Sequence, residues 1–93
     1  MIHTTTVSLA PAEVLSRAEQ FFAERVPNSA AFVEKSGPTF LTLRGQGGEE
    51  VVFSAWTDSE KGVTRVRAST LFFDQAIDRF FSTLPLASQV EVA

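Results

Sequence analysis

Cysteine is absent from the 93 residues of this chain, tyrosine is absent too, and histidine and tryptophan occur once each. Without cysteine there are no disulfides, no thiolate metal sites and no cysteine nucleophile. No run approaches the roughly 20 apolar residues that a membrane-spanning helix needs. The first residues show no charged segment followed by an apolar one, as a secretion signal would. We therefore expect no membrane span and a cytoplasmic location.

Positive charge is also scarce. Eight Lys and Arg oppose eleven Asp and Glu, which gives a net charge of −3 at pH 7. Nucleic acids and anionic lipids both attract cationic surfaces, so we expect no nucleic-acid partner. Four basic residues still fall on neighbouring predicted strands: Lys35, Arg44, Arg65 and Arg67. The simpler interpretation of this stripe is the solvent face of a half-buried sheet, with Glu34 and Glu49 balancing the charge across strands.

What the sequence does have is apolar periodicity near its end. Residues Leu71 to Leu84 read LFFDQAIDRFFSTL and stop at Pro85. The apolar positions recur at i, i+4, i+7, i+8 and i+11, which is the spacing of one face of an α-helix: Phe73, Ile77, Phe80, Phe81 and Leu84. A helix this apolar on one side needs an apolar surface to lie on, and the preceding strands supply it.

The remaining elements follow from alternation and from turn residues. A Thr-rich strand over Ile2–Ser8 precedes a helix that begins at Pro11 and ends before Pro27. Four strands joined by short Gly-containing turns are predicted next, over residues 30–35, 39–44, 49–57 and 63–70. The fold class is thus α+β in the order β-α-β-β-β-β-α. The four consecutive strands form an antiparallel meander, the first strand joins as an edge, and both helices pack on one face.

Size allows one domain and little more. We assign residues 1–85 to a single α+β domain and residues 86–93 to a C-terminal tail. In that tail Val90 and Val92 alternate with polar residues, a pattern compatible with a short extra strand or with contact to a partner.

The order of elements, with Leu9-Ala10-Pro11-Ala12-Glu13-Val14 after the first strand and Gly62-Val63-Thr64-Arg65-Val66 before the last helix, resembles the START-like superfamily. That superfamily contains polyketide cyclases and birch-pollen allergens with a helix-grip fold. The resemblance implies an apolar ligand cavity between the sheet and the last helix. Typical members are longer, so the implied cavity here is small or filled. The same order also resembles one half of the TATA-binding-protein fold.

Catalytic signals are weak. His3 has no partner that the spacing identifies, and the acidic residues form no cluster with metal-ligand spacing. Asp74 and Asp78, one helical turn apart, are typical of a solvated surface. The glycines around Gln46 suggest a hairpin turn, since a strand and not a phosphate-binding helix follows them. We therefore expect no enzyme, no cofactor and no metal.

Nine phenylalanines, six of them in adjacent pairs, are the least ordinary feature of the chain. They allow a filled core, the wall of a small apolar pocket, or an exposed patch that contacts another chain. We expect a non-enzymatic interaction domain, self-associating or an accessory subunit, whose surface comprises Trp56, Phe72, Val90 and Val92. The alternative is a carrier of a small hydrophobic ligand, whose site comprises Phe53, Val66, Phe73, Ile77 and Phe80.

Overall fold

A five-stranded antiparallel sheet carries both helices of the protein. The computed structural model describes residues 1–24, 31–45 and 47–85. Its elements, in chain order, are β1 (Ile2–Val7), α1 (Pro11–Glu24), β2 (Ala31–Ser36), β3 (Phe40–Gly45), β4 (Glu50–Asp58), β5 (Val63–Thr70) and α2 (Asp74–Ser82). The result is a small, compact α+β domain.

The strand order in the sheet is β1-β5-β4-β3-β2. Strands β2 to β5 form the predicted meander, because their connections are too short for anything but antiparallel hairpins. Gly48 and Gly62 have φ angles of +90° and +65°, which residues with a side chain rarely adopt, and they allow the two turns that flank β4. The Gly48 amide donates to the Gly45 carbonyl at 3.1 Å, as in a hairpin turn. β1 joins at the edge, beside β5.

Both helices cover the same face of the sheet. The Phe53 ring, which points inward from β4, lies 5.6 Å between ring centroids from Phe22 of α1 and 5.6 Å from Phe80 of α2. The inward residues of β3, β4 and β5 are buried beneath these rings, as their alternation predicts: Leu41, Leu43, Val51, Ala55, Val66 and Ala68. A single hydrophobic core results.

The last helix is shorter than its apolar spacing predicts. It spans Asp74–Ser82, not 71–84. The Thr70 hydroxyl accepts hydrogen bonds from the amides of Phe72 and Phe73, both at 3.2 Å, and so holds residues 71–73 in a turn. At the other end, the Thr83 amide donates to the Phe80 carbonyl, three residues back, which tightens and ends the helix.

Strand β2 departs from simple alternation. Simple alternation along β2 would put Lys35 on the same face as Ala31 and Val33, but the pairing with β3 shifts register between Val33 and Lys35. Lys35 consequently pairs with Thr42 and lies on the face away from the helices. A β-bulge of this kind inserts one extra residue and therefore reverses the alternation beyond it.

Candidate functional site

The five residues predicted to line a ligand pocket lie together in the core. Phe53, Val66, Phe73, Ile77 and Phe80 are each at most 3% exposed. The Phe73 ring meets Phe22 edge to face with centroids 5.6 Å apart, and the Phe80 ring lies tilted against Phe21 at 5.4 Å. These residues fill the space between α2 and the sheet, so a ligand there would have to separate them. The carrier function stays a prediction.

Of the residues predicted for an interaction surface, Trp56 and Phe72 are exposed, and Val90 and Val92 lie outside the described residues. The prediction grouped Trp56 and Phe72 in one surface, but the strand register sets them apart. Trp56 pairs with Arg65, whereas Phe72 follows Thr70, which pairs with Val51. Val51 and Trp56 are five positions apart on β4, which at ~3.4 Å per residue separates them by about 17 Å along the strand.

Phe72 instead belongs to a group of four exposed apolar residues, which we call the apolar end: Met1, Ile2, Leu71 and Phe72. The Thr70 amide donates to the Met1 carbonyl at 3.0 Å, and Ile2 pairs with Ser69, so the start of β1 and the end of β5 meet here. Leu71 is 94% exposed and Phe72 61%. We predicted Leu71 as part of the last helix, so nothing in the sequence identified it as a member of an exposed apolar group.

The face of the sheet that lies away from the helices, called the open face below, combines aromatic and charged residues. Trp56 and Phe40 are about 40% exposed on it. Arg65 donates to Asp58 at 2.8 Å, and this bond lowers the pKa of the Asp58 carboxyl. Among the described residues, none forms an ion pair with Arg67. All four basic residues of the predicted stripe lie on the open face, but strand register puts them in four different cross-strand rows. Two of them, Arg44 and Arg65, form ion pairs with acidic residues.

Arg44 forms two of the ion pairs on the open face. Its guanidinium donates to both carboxylate oxygens of Glu34 and, at 3.0 Å, to Glu50. The hydrogen bond from Arg44 is the main cause that lowers the pKa of Glu34. The sequence predicted Glu34 correctly but named Glu49 as the second acid. The register shows why Glu50 takes that role, because it is the residue of β4 that pairs with Arg44.

A shallow depression of about 370 Å³ lies where the open face reaches the β1 edge. It is lined by Thr4, Thr5, Thr6, Trp56, Arg65 and Val66. We call it the edge depression. The pairing of three strands forms it. Thr6 of β1 pairs with Arg65 of β5, and Arg65 pairs with Trp56 of β4, so these three residues lie side by side in one cross-strand row.

His3 has two acidic partners that the sequence analysis did not identify. Its Nε2 lies 2.7 Å from Asp74 Oδ1, and its Nδ1 lies 3.3 Å from Asp78 Oδ1. The hydrogen bond from His3 is the main cause that lowers the pKa of the Asp74 carboxyl. The available signal was the spacing of the two aspartates by one helical turn, which places both carboxylates on one face of α2. Only the pairing of β1 with β5 brings the three residues together.

These contacts join β1 to α2, and we call the three residues His3, Asp74 and Asp78 the clasp. A catalytic histidine needs one ring nitrogen free to exchange a proton with the substrate. Both nitrogens of His3 face carboxylates, and its side chain is only 14% exposed. The two aspartates approach different nitrogens, so they do not converge on one point, and no metal-binding group of three residues occurs in residues 1–24, 31–45 and 47–85.

No known protein family, curated protein or solved structure matches this chain. The resemblance to START-like proteins therefore stays an expectation from element order. Within the described part of the chain, no helix is long and apolar enough to cross a bilayer.

Proposed function

We propose that this protein is a non-enzymatic interaction domain that self-associates or serves as an accessory subunit of a larger complex. The observation that carries the proposal is the apolar end. Four large apolar side chains are exposed where the start of β1 meets the end of β5, on a domain whose core is closed without them. Exposed apolar side chains concentrated at one place are typical of sites that contact another chain.

The energetic argument concerns what the exposed residues gain from a partner. Complete burial of a leucine or phenylalanine side chain contributes roughly 1.5–3 kcal/mol. Leu71 and Phe72 obtain little of this within the chain, because the turn held by Thr70 directs them away from the core. A few central apolar residues supply most of the affinity in many interfaces. The apolar end has the composition of such a centre.

The non-enzymatic part of the proposal is supported by the state of the one histidine. His3 is occupied on both nitrogens by Asp74 and Asp78, and it holds β1 against α2. A histidine in this position stabilises the packing of the helix. It lacks the free nitrogen and the adjacent nucleophile that acid–base catalysis requires.

The test replaces Leu71 and Phe72 together by serine and measures molecular mass by sedimentation velocity, from low micromolar to near-millimolar concentration. We expect the wild-type protein to exceed the 10.2 kDa of one chain as concentration rises. The double variant should remain at that mass with unchanged thermal stability, because neither side chain belongs to the core.

Phe32→Ser is the matched control. Phe32 is 54% exposed on β2, at the opposite edge of the sheet, and its replacement should leave association intact. A wild-type protein that keeps single-chain mass at every concentration, and that recovers no partner from the extract of its own host, would contradict the proposal.

Carriage of a small hydrophobic ligand is the second proposed function. It is supported by the position of the five predicted residues, which share one cluster between α2 and the sheet. The element order and the packing of both helices on one sheet face support the same idea, a minimal helix-grip domain. In this proposal the ligand replaces ring contacts that the described structure makes internally.

A further inference from the structure

The outer edge of β1 presents the backbone groups of every second residue. In an antiparallel pair, successive residues direct their N–H and C=O groups alternately toward the partner strand and away from it. Met1 exchanges both backbone bonds with Thr70 of the β5 side. His3 and Thr5 therefore also face β5, whereas Ile2, Thr4 and Thr6 direct their backbone groups outward. The amide of Ser8, which follows this alternation, points outward to the Pro85 carbonyl at 3.1 Å.

The β1 edge lacks the features that usually prevent strands from pairing between chains. Such features are bulges, prolines and charged side chains. Strand β2, the other edge, has a bulge next to Val33 and carries Glu34 and Lys35. Strand β1 pairs with β5 in unbroken register over its six residues, IHTTTV, and its outward-directed positions are uncharged.

We propose that the β1 edge binds the β1 edge of a second copy of this chain, in antiparallel orientation, with Thr4 opposite the partner's Thr4. This inference rests on the proposed interaction function and names the partner. Two identical edge strands that pair antiparallel generate a two-fold axis, which closes the assembly as a dimer. The three outward-directed residues of each copy then form about six backbone hydrogen bonds, two for each pair.

Charge and shape favour a second copy as the occupant. No like charges meet across the axis, because the paired positions are Ile and Thr. In this register the partner's Ile2 lies opposite Thr6 and extends the row Trp56–Arg65–Thr6. That position adjoins the edge depression, and Ile2 is 54% exposed in the single chain. Ser8 lies outside the paired residues, so its bond to Pro85 is kept.

The same register connects the edge to the apolar end. Met1 and Ile2 of each copy move into the interface, on either side of the axis. Leu71 and Phe72 follow the β5 residue that pairs with Met1, so they flank the paired strands. The outward-directed backbone groups of β1, for which no partner occurs among the described residues, and the exposed apolar side chains thus have one common explanation.

The test uses two charge variants, Thr4→Glu and Thr4→Lys, in the full chain. Each places two like charges directly opposite one another at the axis, which destabilises a strand pair. We expect each variant alone to dimerise at least about tenfold more weakly than the wild type, a change of roughly one decade in dissociation constant. An equimolar mixture should form a heterodimer at wild-type strength or better, as judged by native mass spectrometry.

Lys35→Glu serves as the control, since it reverses a charge on the other edge of the sheet and should leave dimerisation unchanged. Amide hydrogen exchange gives a second readout. The amides of His3 and Thr5 should be protected at all concentrations, and that of Thr4 only as the dimer forms. Protection of Thr4 that does not vary with concentration would show the edge to be covered within one chain and would overturn the inference.

The outcomes separate this inference from the proposed function. If the wild type associates and the Leu71/Phe72 serine variant does not, while both Thr4 variants dimerise normally, the β1 pairing is refuted and the interaction function stands. If the wild type remains a single chain throughout and binds no other protein, both are refuted. Rescue in the mixed Thr4 variants supports both.

Discussion

The two faces of the sheet differ most clearly along β4. Val51, Phe53 and Ala55 face the helices and are fully buried, whereas Trp56, at the end of the same strand, is 41% exposed. The covered face joins every buried apolar residue of the described chain into one core. The open face carries ion pairs and exposed aromatics, and no element in the described part of the chain covers it. The core therefore depends on one face of the sheet, which leaves the other face and the strand ends available for contacts.

The largest expected effect comes from breaking the covered face. Phe53→Ala should lower the free energy of unfolding by about 3–5 kcal/mol, because it removes a ring that both helices contact and leaves a cavity. Total stability for a domain of this size is about 5–14 kcal/mol, so the loss is severe. Urea denaturation measures it.

Phe72→Ala is the comparison for that measurement. It removes a ring of the same size that is 61% exposed and contacts only Phe73 among the rings described. The expected loss is under about 1 kcal/mol. Equal losses for the two variants would show that the apolar end is part of the core and not a surface for contacts.

A smaller effect is expected from overfilling the covered face. Phe80→Trp adds volume where Phe80 is 1% exposed between Phe21 and Phe53, and overpacking of this kind costs about 1–3 kcal/mol. Native mass spectrometry of wild type and variant tests the carrier function at the same site. A ligand mass that the wild type carries and the folded variant loses would favour the carrier; no ligand mass in either would count against it.

The smallest expected effect concerns the clasp that holds α2 over β1, and it depends on pH. The folded pKa of Asp74 is lowered below its ordinary value of 3.8. The stabilisation is therefore present above pH 3.8 and is lost as the pH falls through the lowered folded pKa. Asp74→Asn should be less stable than wild type near pH 6, and the difference should shrink toward zero in strong acid.

Glu60→Gln, in the exposed turn after β4, controls for the loss of a carboxylate, and its difference from wild type should not follow this course. Denaturant titrations at several pH values measure both variants. An Asp74→Asn difference that grows as the pH falls would show that His3 and Asp74 do not form the clasp in solution.

Much of the covered face could be predicted from the sequence, because burial of one face gives the apolar residues of a helix or strand a regular spacing. The stripe of Phe73, Ile77 and Phe80 and the alternation of β5 both correspond to buried positions. The start of α2 was predicted three residues too early, since the apolar pattern continues through Leu71 while the Thr70 hydroxyl holds the backbone in a turn. Strict alternation along β2 would put Lys35 on the helix-covered face, because the bulge that reverses the alternation leaves no signature in a single sequence.

Sites were harder to predict than faces, since they join residues from distant parts of the chain. His3 and Asp74 are 71 residues apart, and the separation of Trp56 from Phe72 follows only from strand register. Of the four residues of the apolar end, only Phe72 was predicted as part of an interaction surface. Its other members became significant only when β1 and β5 were seen to meet at Met1 and Thr70.

The sequence by itself determined the element order, the covered faces and the absence of cysteine chemistry, since these depend on local periodicity and on composition. Tertiary structure alone decided the strand register, which exposed side chains are neighbours, and that the one histidine is held between two aspartates. The physical reason is that hydrophobic periodicity and the preferences of turn residues act over only a few positions. Register, bulges and long-range pairing are set by how the whole sheet closes its core.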